Sequence, residues 1–303
     1  MLITVLFGVL LLISSLTYLI PGDPATIMLQ QKATPEIKEM VRQKLGLDQP
    51  IFVRFFKYLW DVLHGDFGVY VMNGRPVLPV VLSTLPHTFI LATTTMVISV
   101  LFGLVLGVLG VLYKDTVFDK TLTVISAAAV SIVQYVAALL LLLLFSVTLR
   151  WFPAVGTGDK GDILDKLHHL VLPAVAMSIS WVGYIQRIVR EALAETLFSE
   201  YVKTAKSFGI PRSKIIYKYC LRNAVKPLVN IIVIGWGAAL GGSFFIESIF
   251  GRKGLGRLVL GALQSREYYA AQCGIMVAVV IFISAVILAD IVNAIVDPRI
   301  RLV

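Results

Sequence analysis

Residues 88–112, TFILATTTMVISVLFGLVLGVLGVL, run for 25 positions without a charged side chain. At about 1.5 Å of rise per residue, a helix of that length crosses the roughly 30 Å hydrocarbon core of a bilayer. Outward from it lie five further apolar runs, at residues 2–20, 122–149, 170–189, 228–246 and 270–295. Bilayer hydrocarbon offers no water to backbone N–H and C=O groups, so each run must satisfy them internally as a helix. The expected fold class is all-α, a polytopic membrane protein with about six transmembrane helices. Composition agrees: 58% of the 303 residues are hydrophobic and only 15% are charged, against roughly 25% charged in soluble domains. With a mean hydropathy of +0.87, a soluble fold is excluded.

The net charge of +9 does not point to nucleic acid. The basic residues sit between apolar runs and form no stripe interleaved with aromatics, as the positive-inside bias of membrane proteins would leave them. The two cysteines, Cys220 and Cys273, form no CxxC pair, so neither a disulfide framework nor a zinc site is indicated. The first run has no Lys or Arg before it and no small-x-small cleavage site, and Pro21-Gly22-Asp23-Pro24 ends it abruptly. It reads as a retained helix rather than a secretory signal. The expected organisation is a first transmembrane helix at 1–21, an extracytoplasmic loop or cap at 22–86, and a core at 87–297 containing a cytoplasmic loop at 191–226.

Six spans put both termini on one side. With the termini inside, 13 of the 27 Lys and Arg residues fall inside and 14 outside, so totals decide nothing. Density does: the inside segments cover about 55 residues against about 105 outside. In the long first loop, moreover, the seven bases face the six acids Asp23, Glu36, Glu39, Asp48, Asp61 and Asp66. Both termini are therefore expected in the cytoplasm. The outer loop carries its own helix signal, Thr34-Pro35-Glu36 followed by Ile37, Met40, Val41 and Leu45 on one face and a stop at Gly46. A further cluster, Phe52, Phe55, Phe56, Tyr58, Leu59 and Trp60, reads as the packing face or interfacial belt of that cap.

The cytoplasmic segment is too long for a turn and reads as two helices. The first stops at Gly209, a common residue just past a helix end, and Pro211 suits the first turn of the second. Tyr201, Thr204, Ala205 and Phe208 then share a face at three- and four-residue spacing. Residue pattern alone leaves two readings of it open. One is a docking face for a partner's groove. The other is an amphipathic helix resting on anionic membrane lipid through Lys203, Lys206, Arg212, Lys214 and Lys218.

Four motifs in register, Pro21-Gly22-Asp23-Pro24-Ala25, Leu45-Gly46-Leu47-Asp48-Gln49-Pro50, Gly65-Asp66-Phe67-Gly68 and Gly74-Arg75-Pro76-Val77, resemble the outer loop of ATP-binding cassette importer permeases of the dipeptide, oligopeptide and nickel type. The likeness continues through Glu200-Tyr201-Val202-Lys203-Thr204-Ala205-Lys206-Ser207-Phe208-Gly209, Leu221-Arg222-Asn223-Ala224, Phe245-Ile246-Glu247-Ser248-Ile249-Phe250, Gly254-Leu255-Gly256-Arg257-Leu258 and the ending Asp297-Pro298-Arg299-Ile300-Arg301-Leu302. Against the general importer pattern Glu-Ala-Ala…Gly…Ile-x-Leu-Pro, this chain matches literally at Ala205, Gly209 and Leu221, in the form usual for the peptide and nickel branch. Family members carry Arg-bearing residues before the first helix, where this sequence begins inside it.

The resemblance implies a type I permease fold forming half of a pathway for peptide, nickel or metal-chelate uptake in the bacterial inner membrane. It also implies a second homologous permease, with a heterodimer expected, two ATPase subunits that bind ATP and magnesium, and an extracytoplasmic substrate-binding protein. Glu200, Tyr201, Thr204, Ala205, Phe208, Gly209, Ile210 and Pro211 become the expected coupling helix on which an ATPase docks. The chain itself has no Gly-Lys dipeptide and hence no phosphate loop, so no cofactor or catalytic residue is expected in it.

The alternative is an ion-gradient-driven secondary transporter, which generally needs ionisable groups near mid-membrane. The runs hold almost none: Arg187, Arg190, Glu247 and Asp290 lie near span ends. Gln134, Gln186, Asn230, Gln272 and Asn293 read as interhelical glue rather than substrate ligands. Gly103-x-x-x-Gly107 and Gly237-x-x-x-Gly241 read as close helix approaches. The GxGxxG string at 156–161 follows an apolar helix rather than a strand, and His168 and His169 diverge by about 100° on a helix, so neither supports a dinucleotide or metal site.

Overall fold

A computed structural model describes Gly8, Leu11 and residues 49–71, 73–159, 161–211 and 214–296. Among these, the ordered elements are helices: α1 (Ile51–Leu63), α2 (Val77–Leu112), α3 (Val117–Ser131), α4 (Gln134–Leu141), α5 (Ile163–Leu197), α6 (Glu200–Ser207), α7 (Leu221–Ile249), α8 (Leu255–Gln264) and α9 (Tyr268–Val296). A π-helical stretch, Leu142–Thr148, continues α4, and another, Ile215–Cys220, leads into α7. Four helices among the described residues are long and apolar enough to cross a membrane, or five if the bent pair α3 and α4 is one span. The apolar run at 2–20 and the helix signal at 34–45 fall outside the described residues, apart from Gly8 and Leu11, which are helical.

The chain divides into two compact units, residues 1–88 with 252–283 and residues 89–251 with 284–303. In the first, α1 turns Phe55 and Tyr58 inward onto Met276, with Leu59, Val62, Phe67 and Tyr269 around them. Burial pushes the Tyr58 hydroxyl well above the ordinary tyrosine range. The aromatic cluster of the sequence thus splits by helical phase: Phe52, Phe56 and Trp60, at four-residue spacing, are exposed. The following loop holds its fold through the isolated antiparallel bridge Val69 to Pro76 and a bond from the Val71 N–H to Glu267 Oε2 at 3.0 Å. Gly68, at φ +80°, lies so close to Tyr269 that a Cβ would sit 2.7 Å from its ring. The Thr88 hydroxyl oxygen accepts from the Leu255 N–H at 2.8 Å, tying α2 to the start of α8.

In the second unit α5 is central, packing against α3, α4, α6 and α7. Gly103 and Gly107 bring α2 onto it: a Cβ on Gly103 would stand 2.7 Å from Ile185 Cγ2, and one on Gly107 2.6 Å from Val189 Cβ. Gly183 does the same for α3, since its Cβ would be 2.6 Å from the Ser126 carbonyl oxygen. On α7 the close approach is at Gly235, against Trp181, whereas Gly241 faces open space.

Three expectations need correction. The run at 122–149 is not one helix: α3 ends at Ser131, Ile132 and Val133 are extended, and the chain restarts at an angle of 101°. The Ser180 hydroxyl supports the break by donating to the Ile132 carbonyl at 3.3 Å. α5, at 35 residues, is far longer than the run at 170–189, because Asp162 caps its N-terminus and its last turns leave the apolar stretch. α2 likewise starts at Val77 and carries Pro86 within it.

The two glycine classes separate in a mutational test. Gly107→Ala inserts a methyl against Val189 and the Gln186 carbonyl, and should cost about 1–3 kcal/mol, lowering the thermal unfolding midpoint of the detergent-purified chain. Gly241→Ala should leave the midpoint level or slightly raised, by at most about 1 kcal/mol. Equal behaviour of the two variants would contradict the packing described.

Candidate functional site

The segment between α5 and α7 builds a small folded platform. Helix α6 runs from Glu200 to Ser207 and closes with a Schellman motif: the Ile210 N–H donates to Ala205 O at 3.2 Å and the Gly209 N–H to Lys206 O at 2.9 Å. Gly209 takes φ +72°, the left-handed conformation that this motif requires and that other residues adopt at a cost. Ile210, the residue after it, packs back on the core beneath the helix. Pro211 accepts from the Ile215 N–H at 3.1 Å and so opens the next helical segment.

That core joins the loop to the spans. Val202 and Ala205 of α6, with Ile215, Ile216 and Cys220, meet Ile185, Val189 and Leu193 of α5 and Val108 and Val111 of α2 in one buried cluster. Burial pushes the Cys220 thiol above its ordinary range, and nearby Lys206 opposes this weakly. The expected docking set is therefore divided. Tyr201, Thr204 and Phe208 are exposed, Phe208 by 78%, and Glu200 lies beside them with its carboxylate on Lys203 Nζ. Ala205, expected on the same outward face, is only 8% exposed and belongs to the base. Helical phase explains it, because residue 205 lies between the outward direction of Tyr201 and the inward direction of Val202. Phe198 (69% exposed) and Tyr217 (55%) add aromatic surface that the sequence reading did not single out.

One ion pair ties α3 to α5. Arg190 of α5 donates through Nε to Asp119 Oδ1 and through Nη2 to Asp119 Oδ2, both at 2.7 Å, a bidentate geometry. The Asp119 side chain is 4% exposed and that of Arg190 27%. Thr116 caps α3 by accepting from the Asp119 N–H at 3.4 Å, so Asp119 joins the cap of α3 through its backbone and ties α3 to α5 through its side chain. Lys114, in the same turn, stands 4.9 Å over the Phe198 ring.

The other residues singled out from the sequence serve the loop before α5. His168 Nε2 bonds the Trp151 carbonyl at 2.8 Å and His169 Nδ1 the Asp165 carbonyl at 2.9 Å. The glycines at 156, 158 and 161 all have positive φ, and Gly158 packs on the Lys166 backbone, as a tight turn into α5 requires. Gln134 and Asn230 line a cavity taken up below.

Comparison with known proteins gives a consistent picture. Residues 99–302 match the family described as binding-protein-dependent transport system inner membrane component, and residues 1–92 match that family's N-terminal region. The glutathione transport system permease protein GsiC of Escherichia coli K12 is 32% identical over 300 residues, covering 99% of this chain and 96% of that one. The GsiC protein of Salmonella paratyphi A is equally similar. Among solved structures, an inward-facing MetNI methionine ABC transporter chain superposes with a TM-score of 0.58 at 17% identity, over 73% of this chain and 98% of that one. A chain of an amino acid ABC transporter crystallised with histidines gives 0.52 at 16% identity, over 73% and 94%. The low identities of the last two speak to the fold alone, which is the type I permease fold.

Asp119→Leu leaves Arg190 partly buried without its partner and should destabilise the purified protein by about 2–3 kcal/mol, less than for a fully buried pair. Asp119→Leu combined with Arg190→Leu should recover part of that loss. A double variant no more stable than the single one in a thermal-unfolding series would show that the two residues act separately.

Proposed function

The chain belongs to the family of binding-protein-dependent transport system inner membrane components, and from that premise we propose how it couples to its partners and what it carries. It is the permease subunit of an ATP-binding cassette importer, a multi-pass inner-membrane protein, and not itself an enzyme: the ATPase is a separate subunit. Family membership sets aside the ion-gradient-driven reading.

In our reading α6 is the coupling helix. Its outer face of Tyr201, Thr204 and Phe208, flanked by Phe198 and Tyr217, seats in a groove of one ATPase subunit, which binds ATP and magnesium. Val202 and Ala205 pass the displacement inward to Ile185, Val189 and Leu193 of α5. The observation that carries this is the pairing of an exposed aromatic face with a wholly buried base on one short, tightly capped helix. A buried base moves with the spans, and an exposed Phe fills a partner's pocket at little cost to the free chain. A second, homologous permease completes the pathway as a heterodimer, an extracytoplasmic protein delivers cargo, and both termini lie in the cytoplasm. The cargo class is short peptides, glutathione-like compounds included, or nickel and metal chelates; likeness to the glutathione permeases favours the peptide side.

Phe208→Asp should leave the chain inserted in the membrane and reduce ATPase recovery on affinity purification at least about tenfold. Gly209→Val should do the same through backbone strain of about 1–2 kcal/mol, and Gly209→Asn, which tolerates positive φ better, should be milder. Ala205→Arg should instead disrupt the platform itself and lower the unfolding midpoint. Undiminished ATPase recovery and transport in Phe208→Asp would overturn the docking reading.

A further inference from the structure

The second unit contains a cavity of roughly 500 Å³ whose largely apolar wall of Val130, Trp181, Ile231 and Ile234 carries four polar side chains, Gln134 at the start of α4, Ser180 and Tyr184 of α5, and Asn230 of α7. Its size is that of a small-molecule site. A neighbouring cavity of roughly 620 Å³ has walls of aliphatic residues, Met96 and Trp236, with Thr93 the one small polar residue, so the four polar side chains set the first apart from it. Three features single it out. It opens where the α3 to α4 span breaks, the place at which non-helical backbone is tolerated in a membrane because it borders a cavity. The Asn230 Oδ1 is buried and meets no hydrogen-bond donor among the described residues, which is costly unless a ligand or water supplies one. And no lining side chain is charged.

We propose that Gln134, Ser180, Tyr184 and Asn230 form a holding site for cargo within this permease, in which Asn230 Oδ1 accepts a hydrogen bond from an amide N–H of the passing ligand. This rests on the peptide reading above. Ser180 spends its own proton on the Ile132 carbonyl, so its oxygen is left to accept, while the Gln134 amide and the Tyr184 hydroxyl can both donate and accept. Trp181 supplies an apolar wall, held against α7 because Gly235 has no side chain: a Cβ there would stand 2.9 Å from its ring. A few neutral hydrogen bonds hold cargo loosely, as a conduit needs, since tight binding would stall release. A bare divalent cation finds no carboxylate, thiol or imidazole in this lining. The permease thereby adds a selection step of its own, for N–H donors, to that of the binding protein.

The test uses the assembled importer in liposomes with its binding protein, offered a mixture of neutral tripeptides and glutathione together with their amide N-methylated counterparts. Uptake is read by mass spectrometry. Since the binding protein is the same for every permease variant, any change between variants belongs to the permease. For the unmethylated peptides, Asn230→Leu should raise the transport KM about tenfold, the loss of one buried hydrogen bond, with kcat changed less than about threefold. It should also erase the permease's part of the preference over the methylated set. Tyr184→Phe should move KM in the same direction by a smaller factor. As a readout independent of Leu tolerance, Asn230→Cys should react with an impermeant thiol reagent, and saturating peptide should slow that labelling; Cys220 and Cys273 are buried. Wild-type KM and preference in Asn230→Leu, or labelling of Asn230→Cys indifferent to peptide, would overturn the holding site alone. A wild-type importer that moves none of these peptides would overturn the peptide reading and the holding site with it.

Discussion

The ridge formed by Ile185, Val189 and Leu193 on α5 is the contact on which the rest of this structure depends. The three residues recur every four positions and so line one stripe of the helix. Ile185 and Val189 bed into the gaps left by Gly103 and Gly107 of α2, and all three belong to the buried cluster that takes in Val202, Ala205, Ile215 and Ile216 of the loop. One stripe therefore fixes both a span-to-span packing and the seat of the short helix α6. A packed core moves as a body rather than deforming smoothly, so a push on α6 is transmitted to α5 rather than absorbed. That is the mechanical requirement for an importer whose energy source lies in another subunit.

Charge is distributed in keeping with the cost of burying it. The Asp119–Arg190 pair is bidentate and partly open to solvent on the Arg190 side, a placement in which the desolvation cost is limited and geometry is good. It lies beside the platform core, near the end of α5 that leads into α6. The polar side chains in the cavity among α4, α5 and α7, by contrast, are amides and hydroxyls set among Val130, Trp181, Ile231 and Ile234, and none is charged. An importer driven by ATP needs no titrating group along its path, whereas a proton-coupled carrier does. The scarcity of charge within the apolar runs was thus a functional signal as well as a topological one.

What the sequence disclosed follows from which physics is local. Apolar length announced the described spans, Gly209 announced the end of α6, and Gly103 and Gly107 announced the α2 to α5 contact, because each depends on a residue's own chemistry or spacing. The outward Tyr201, Thr204 and Phe208 were legible from helical phase, but Ala205 was not, since it sits where the two faces meet and only packing decides its side. Asp119 and Arg190 are 71 residues apart in sequence, and pairing at that distance has no local signature. The Thr116 cap preceding Asp119 was the one available hint. The likeness to peptide and nickel permeases gave the fold directly. It did not point to Asn230 or Gln134, whose polar side chains read equally well as links between helices.

The broken span deserves a physical explanation of its own, because a continuous helix would have been the cheaper structure. Interrupting the ladder at Ile132 and Val133 strands backbone groups in an apolar setting, at several kcal/mol for each group left unsatisfied. No Pro or Gly at 131–134 forces the interruption. The Ser180 hydroxyl recovers one carbonyl, and π-helical winding at Leu142–Thr148 ends in bonds from the Trp151 and Phe152 N–H groups to the Phe145 carbonyl. A cost that is only partly offset persists where it is matched by a gain elsewhere. Here the gain is positional: the restart at Gln134 brings an amide side chain to the cavity wall that Asn230 and Tyr184 share. The break therefore does positive work in the fold, since it brings a polar side chain to a cavity whose wall is otherwise largely apolar.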